Sequence, residues 1–592
     1  MSLHPNDIHR RARSASLMVA LALALLAAGF FRAQVVQSAQ YQLSSERNRL
    51  REVPLPAARG VIFDRHGEII AENIPGYSVS ILSPNTDTLR STLQRLSGLI
   101  ALPGPEIESA VRRFGRDPNR PTVVLSDASF DQVSVLEEHR TEFPSLIIQE
   151  APKRRYPDGA AVSAFVGYTG EINEKELNSA KFSGYKSGQQ IGRAGLEKQY
   201  ESRLRGIEGS RFVEVDARGR VVRDAAARPD SNAIAAPALR TNIDLDLQRF
   251  IANYFGDSLV GGVVAIEPST GAVLAIHSAP GYDPNRFVGG VRADYYRQLT
   301  SDGRQPLYNK AMQGRYPPAS TFKLATAALA LEAGVADFDT RMPQPCTGGY
   351  NFGSRYFRCW DKKGHGSLTL TQAIAKSCDT YFYQLGLRLQ LSRLLAGGVS
   401  LKFREKSGID LPDETTPQWP YAVEYFDKKY GARGWTNAVT LNLSIGQGEN
   451  TQTILNMARF YTALATDGRA SRPEVVTQSP DRVPILKLTT AQLEGLRNAM
   501  ADVVSGRGTA GSAAIQGVIL AGKTGTAQNE TLVDHAWFVG FAPKDDAKIV
   551  VAVMLWQGQH GYAAARIASK VVEHYLKRPA IQPADIEGGG GN

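Results

Sequence analysis

Tyr316-Pro317-Pro318-Ala319-Ser320-Thr321-Phe322-Lys323 sets a serine and a lysine three residues apart at the start of a helix. Residues i and i+3 share a helix face, so the hydroxyl and the amine can meet. Pro317 and Pro318 cannot continue a helix backwards and mark its beginning. The run FKLATAALALEA from Phe322 to Ala333 is helix-favouring and apolar enough to be buried, and Gly334 suits the stop. A buried lysine with a lowered pKa can deprotonate a neighbouring hydroxyl, which then attacks a carbonyl. Ser183 and Lys186 repeat the spacing inside the glycine-rich stretch 182–188, which does not read as helix, so context must select between the copies.

Two stretches downstream supply that context. Lys376-Ser377-Cys378-Asp379-Thr380 offers a second serine beside a carboxylate, and Ala521-Gly522-Lys523-Thr524-Gly525-Thr526-Ala527 offers a second lysine among hydroxyls. Lysine, a hydroxyl residue and glycine also follow one another at 186–188 and 406–408. Only Lys523 follows an apolar strand pattern, Val518–Leu520, and precedes another, Ala536–Phe541. Residues 263–268 and 272–276 around Ser269-Thr270-Gly271 predict a hairpin, and Ile549–Leu555 a further strand. Helices are expected at 320–333, 370–376 and 453–466. Strands at both ends with helices between predict an α+β fold, an antiparallel sheet covered by helices.

Before this region the chain has its own organisation. Arg10, Arg11 and Arg13 precede eighteen uncharged residues, Ser14 to Phe31, closed by Arg32. That length suits a membrane-spanning anchor over 14–32, with residues 1–13 as a cytoplasmic tail and the bulk of the chain on the far side. A signal peptide cut near Ala27 and Ala28 is the rival reading. Residues 33–55 read as a polar continuation of the anchor helix. Arg59–Gly67 reads as the start of a hairpin, and Gly192–Tyr200 as a glycine turn entering a short helix; both landmarks read as structural. Residues 224–238 are rich in Ala and Pro and read as a linker. The boundaries expected are a front domain over 33–238, a second domain over 239–578 and a disordered tail over 579–592. The net charge of +10, from 68 basic and 58 acidic residues, is scattered, which argues against a nucleic-acid partner. No phosphate-cradling loop or dinucleotide fingerprint is present.

The order S-x-x-K, S-x-[ND], K-T-G resembles the penicillin-recognising serine acyltransferases. Ser444-Ile445-Gly446-Gln447-Gly448, Asp534-His535-Ala536-Trp537-Phe538, Arg59–Gly67 and Gly192–Glu197 narrow the resemblance to class B penicillin-binding proteins, as do the single anchor and the lack of a glycosyltransferase domain. Asp379, where most members have Asn, is similar to the penicillin-binding protein 2 branch, which serves cell elongation. The resemblance covers roughly residues 14–575. It implies a pedestal or dimerisation-type front domain, then a transpeptidase domain with flanking helices and an all-helical lobe. It implies a bacterial inner-membrane D,D-transpeptidase that cross-links peptidoglycan stem peptides, with carboxypeptidase action as a minor reaction, and that β-lactams inhibit. Ser320 would attack the D-Ala–D-Ala carbonyl, and Lys323, kept neutral by burial and by a cation such as Lys523, would take its proton. Ser377 would relay a proton to the leaving amine. Lys523, Thr524, Gly525 and Thr526 would bind the terminal carboxylate, with Ser320 and Thr526 N–H groups as oxyanion hole. Asp379 would pair with Lys323 or with substrate amides. The resemblance also implies partners: a RodA-type glycosyltransferase of the SEDS class, MreC and other elongation proteins.

Catalysis of this kind needs no cofactor. Cys346, Cys359 and Cys378, the only cysteines, fall with His365 inside one short stretch, a Cys₃His set that suits structural zinc. A Cys346–Cys359 disulfide with Cys378 free fits the same spacing, and Asp361 could replace one ligand. His535 and the five tryptophans read as core or cleft wall. Two rival functions stay open. One is a hydrolase, a β-lactamase or carboxypeptidase, against which the front domain argues. The other is a scaffold whose binding to a membrane partner is its main activity.

Overall fold

The computed structural model describes residues 5–38, 50–216, 221–224, 229–477, 479–506, 508–528 and 533–577. The tail expected at 579–592 lies outside the described residues.

The second half of the chain is built on one sheet. Its strands run in the order Val273–Ala279, Gly261–Ile266, Ile549–Leu555, His535–Ala542, Ala521–Ala527, and every pair is antiparallel. Side chains alternate across a strand, yet every residue of the first three strands is buried, so both faces are covered. Helices Leu245–Phe255 and Gly561–Leu576, which touch each other, pack on the sheet, as does Ile454–Ala465. The first hairpin closes at Gly271, whose φ of +88° and 2.1 Å approach to the Arg472 carbonyl exclude a side chain. The edge strand begins at Ala521; Val518–Leu520, expected as its start, precedes it.

Helices fill the interval between the strands: Lys323–Glu332, Leu370–Ala375, Asp379–Leu389, Leu391–Ser400, Ala438–Ser444, Ile454–Ala465 and Thr490–Val504. The lobe is not all-helical. Gly349–Phe352 and Arg355–Arg358 form a hairpin about Gly353, a glycine-permitted turn that the flanking helical patterns masked. This hairpin carries the chain from Cys346 back to Cys359.

The front half has its own apolar core, centred on Val79, Ile81, Leu89, Leu93 and Phe114. The long strand Ile69–Ile81 pairs with Thr122–Ala128 and Leu146–Arg155. Leu50–Leu55 is a strand paired with Gly209–Val215, not a continuation of the anchor helix: Pro54 denies it a helical interior, and Val53 is buried in a small sheet core. The two landmarks meet. Glu197 accepts from Arg59 Nη2 at 2.7 Å, Arg154 Nε at 2.7 Å and Tyr156 OH at 3.2 Å. Glu201 accepts from Arg59 Nη2 and the Gly192 N–H. Asp64 accepts the N–H groups of His66, Glu68 and Leu245. Residues 229–238 lie back along the front region through bridges from Ser231 and Ile234. The chain then adds Leu239–Arg240 as a parallel strand beside Ile62–Phe63.

The N-terminal helix Pro5–Phe31 runs into a π turn at Arg32–Val36. The helical segment His9–Val36 holds an 18-residue window with a mean hydropathy of 2.2, none of it buried, so it is long and apolar enough to cross a membrane.

Candidate active site

Ser320 sits on a single 3₁₀ turn, Ala319–Phe322, that leads into the Lys323–Glu332 helix. Ala319 has φ of +50°, a left-handed conformation that costs a non-glycine residue strain. Its neighbours hold it there: Ala319 N–H donates to the Gly446 carbonyl at 3.0 Å, and a Cβ on Gly446 would meet the Ala319 carbonyl at 2.2 Å. Ser377 is the second such residue, at φ +53°. Two strained residues thus flank one cleft.

Lys323 is fully buried. Its Nζ donates to Asp379 Oδ1 at 2.7 Å, the Ser377 carbonyl at 2.8 Å and Ser377 Oγ at 3.2 Å, and lies over the Phe382 ring. Among the described residues Ser320 Oγ has no hydrogen-bond partner, so the expected Ser320–Lys323 contact is replaced here by the Lys323–Asp379 pair. Asp379 opens the Asp379–Leu389 helix, where the helix dipole favours negative charge. Its other oxygen accepts the Trp360 N–H at 3.1 Å. Burial pushes the Asp379 carboxyl up, and the Lys323 cation opposes that.

The third stretch reaches the same place from the sheet. Gly525 lets the edge strand press on the Ser320 turn: a Cβ there would meet the Pro318 carbonyl at 3.1 Å and Thr321 Cγ2 at 3.2 Å. Lys523 is fully buried and its Nζ donates to the Thr524 carbonyl at 3.1 Å. Burial, and then repulsion from Lys323, hold Lys523 well below the ordinary lysine range. Thr524 Oγ1 lies 2.6 Å from Thr509 Oγ1, and Thr526 Oγ1 accepts the Gly561 N–H at 3.4 Å. Tyr316, His535 and Trp556 form an adjacent aromatic group, and His535 is lowered by burial.

Cys346, Cys359, His365 and Cys378 converge, with their ligand atoms all within 4.8 Å of one another. All three cysteines are free, so the disulfide is not formed. His365 Nδ1 is 3.6 Å from each of the Cys346 and Cys359 sulfurs. A tetrahedral zinc with ordinary bond lengths sets sulfur and nitrogen ligands about 3.6 Å apart, so the donor set fits that ion. Asp361, weighed as a ligand, stands instead 3.9 Å from His365 Nε2, on the far side of the ring. The hydrogen bond from Cys378, and then His365, draw Cys359 down towards thiolate, and the same contact pushes Cys378 up.

Sequence reasoning missed two contributors. Trp360 ties the cysteine loop to Asp379 by its backbone N–H and to the Lys376 carbonyl by its indole, and is otherwise exposed. Gly446 fixes the residue before Ser320; the glycines of its motif were a signal of close approach.

With this fold and cleft in place, the comparisons are decisive: the chain belongs to the penicillin-binding proteins. Residues 261–576 match the penicillin binding protein transpeptidase domain, and residues 54–233 the penicillin-binding protein dimerisation domain. A relative from Haemophilus influenzae, named peptidoglycan D,D-transpeptidase MrdA, is 33% identical over 98% of this chain and 94% of its own length. The Helicobacter pylori complex between penicillin-binding protein 2 and MreC is similar with a TM-score of 0.78 at 26% identity, over 89% of this chain and 99% of that one. A chain of a peptidoglycan synthase complex that coordinates polymerization and crosslinking is similar over 97% of this chain and 99% of its own, with a TM-score of 0.70 at 28% identity.

Proposed function

We propose that the chain is a peptidoglycan D,D-transpeptidase of the cell-elongation type, which cross-links stem peptides through an acyl-enzyme on Ser320 and is a target of penicillins. The observation that carries the reading is the meeting of the three stretches in one cleft. Lys323 Nζ contacts Ser377 Oγ, and the Lys523 strand packs on the Ser320 turn. The named relatives agree with the activity.

In this reading the terminal carboxylate of the donor peptide binds Lys523, Thr524 and Thr526; its charge offsets the cost of protonating a buried lysine. Ser320 Oγ attacks the carbonyl while the Ser320 and Thr526 N–H groups receive the developing oxyanion. Lys323 takes the hydroxyl proton once Asp379 and Ser377 release it, and Ser377 carries a proton to the departing D-alanine amine. An amine of a second stem peptide then attacks the acyl-enzyme.

The front region, with an expected boundary at 238/239, serves as pedestal for MreC and a RodA-type glycosyltransferase. The helix at 14–32 anchors it in the inner membrane, with the bulk of the chain periplasmic. What supports MreC is its place in the Helicobacter pylori complex; what supports a polymerase partner is the coordination of polymerization with crosslinking in the synthase complex. The cysteine cluster holds a structural zinc that braces the loop bearing Trp360 and the turn bearing Ser377. Metal analysis of protein purified without chelator should return one zinc per chain, and its absence from folded protein would remove the ion from this account.

The first experiment is labelling with a fluorescent penicillin. Covalent label on the parent and none on Ser320→Ala is expected. Equal label on both would sink the assignment of the nucleophile.

A further inference from the structure

A cavity of about 210 Å³ lies in the front region, between the end of the Leu50–Leu55 strand, the paired strands Ile69–Ile81 and Leu146–Arg155, and the turn at 186–190. No residue of the Ser320 cleft lines it. Six buried polar atoms without a partner among the described residues belong to side chains that line it: Arg154 Nη1 and Nη2, Arg120 Nε, Thr122 Oγ1, Gln149 Oε1 and Gln190 Oε1.

Arg154 is the centre of this set. It is 4% exposed, and it spends only Nε on a partner, Glu197. The two Nη groups, four N–H donors in one plane, are buried with no partner among the described residues, on a side chain that lines the cavity. Such a fork matches the paired oxygens of a carboxylate or phosphate. Three other cations of the lining are held by carboxylates, Arg59 by Glu197 and Glu201, Arg113 by Glu171 and Lys153 by Asp127, while Arg205 donates to Gln189 Oε1 and lies over the Tyr185 ring, and Lys186 adds a further positive charge. Arg120 stands 3.8 Å from Glu52 and 3.9 Å from Glu208, leaving its Nε free. Even so, cationic side chains outnumber acidic ones in the lining, seven to three. The acceptors are also oriented. Gln149 Nε2 donates to the Pro54 carbonyl at 3.0 Å, which fixes the amide and aims Oε1 as an acceptor. A bare anion would satisfy the arginine and leave the glutamine oxygens unmet.

We propose that this cavity is a binding site for a small anion, a carboxylate or phosphate, carried on a scaffold with hydroxyl or amide N–H donors, as in an acidic amino sugar. The oxyanion lies on the Arg154 fork and Thr122 hydroxyl, and the scaffold donates to Gln149 and Gln190. The volume equals that of roughly seven waters, which is the scale of one sugar residue.

The test uses the full chain in detergent and isothermal titration at constant ionic strength. The probes are N-acetylmuramic acid, N-acetylglucosamine 1-phosphate and uncharged N-acetylglucosamine. At least one anionic sugar should bind saturably, and at least about tenfold more tightly than the neutral one; which one binds identifies carboxylate or phosphate as the group read. Arg154→Lys, which keeps the charge and loses the fork, should weaken binding about tenfold or more. Thr122→Val, close in shape and remote from Glu197, should weaken it several-fold with an unchanged melting temperature. The site is refuted if neither anion binds the folded parent, if the neutral sugar binds as tightly, or if both variants bind like the parent. Penicillin labelling of the same preparations reports separately on Ser320.

Discussion

In the front region Glu197 is wholly buried and accepts from two arginines and a tyrosine; in the cleft Lys323 is equally buried and donates to one aspartate and one serine. The two clusters face the same cost of taking charge out of water. The first meets it with opposing charges that hydrogen-bond from several sides, and Arg59 is raised above its ordinary range by them despite burial. The second meets it with a single ion pair next to a strained serine and a depressed lysine. A charge gripped by two opposing charges stays put, and a charge held by a single opposing charge beside a hydroxyl and a carbonyl can be exchanged, which is what a proton-transferring site requires.

The sharpest way to break this contrast is Lys323→Met. The rate of penicillin acylation should fall about 10²–10⁴-fold in a time course on folded protein. A loss under tenfold would return the lysine to a merely structural place. Glu197→Gln should do the reverse. Stability should drop by about 3–5 kcal/mol in urea unfolding, while the protein that remains folded is acylated at the parental rate. A parallel loss of acylation would mean that the two clusters are not separable.

The next effect is a slope. Lys523 has a folded pKa below its unfolded value near 10.4. Between the two, the unfolded chain binds the extra proton, so this group makes stability rise with pH. Lys523→Met removes that slope. Its stability advantage over the parent should therefore shrink from about pH 6 to about pH 9, and a constant difference would show that Lys523 is charged in the folded state. The smallest effect is expected at Thr489, whose hydroxyl caps the Thr490–Val504 helix behind the Lys523 strand. Thr489→Ala should cost about 1 kcal/mol in the same unfolding assay and leave acylation unchanged.

What the sequence made legible is local. The proline pair, the apolar helix after Ser320 and the strand patterns around Lys523 and Gly271 each announce themselves over a few residues. The strands at Ile549–Leu555 and His535–Ala542 follow their apolar runs to within a residue or so. The convergence of the three cysteines with His365 was also visible, because all four fall in one short stretch. What stayed hidden was decided across long separations. Lys323 chooses Asp379 over Ser320, and Arg154 meets Glu197 from a strand whose pattern gives no sign of an ion pair. The Leu50–Leu55 strand could not be told from a helix extension, because its partner Gly209–Val215 lies far along the chain. The hairpin at Gly349–Arg358 was overlooked because short polar strands carry little periodicity.

The Leu239–Arg240 strand bears on where this chain can be cut. Leu239 donates to the Val61 carbonyl, Thr241 to Phe63, and Arg65 reaches back to Ile243, while Asp64 receives the Leu245 N–H. A fragment begun at residue 239 would carry off the strand that borders Ile62–Phe63 and leave buried Asp64 short of a donor. Neither half is a clean recombinant unit, and expression trials should keep residues 50–577 together.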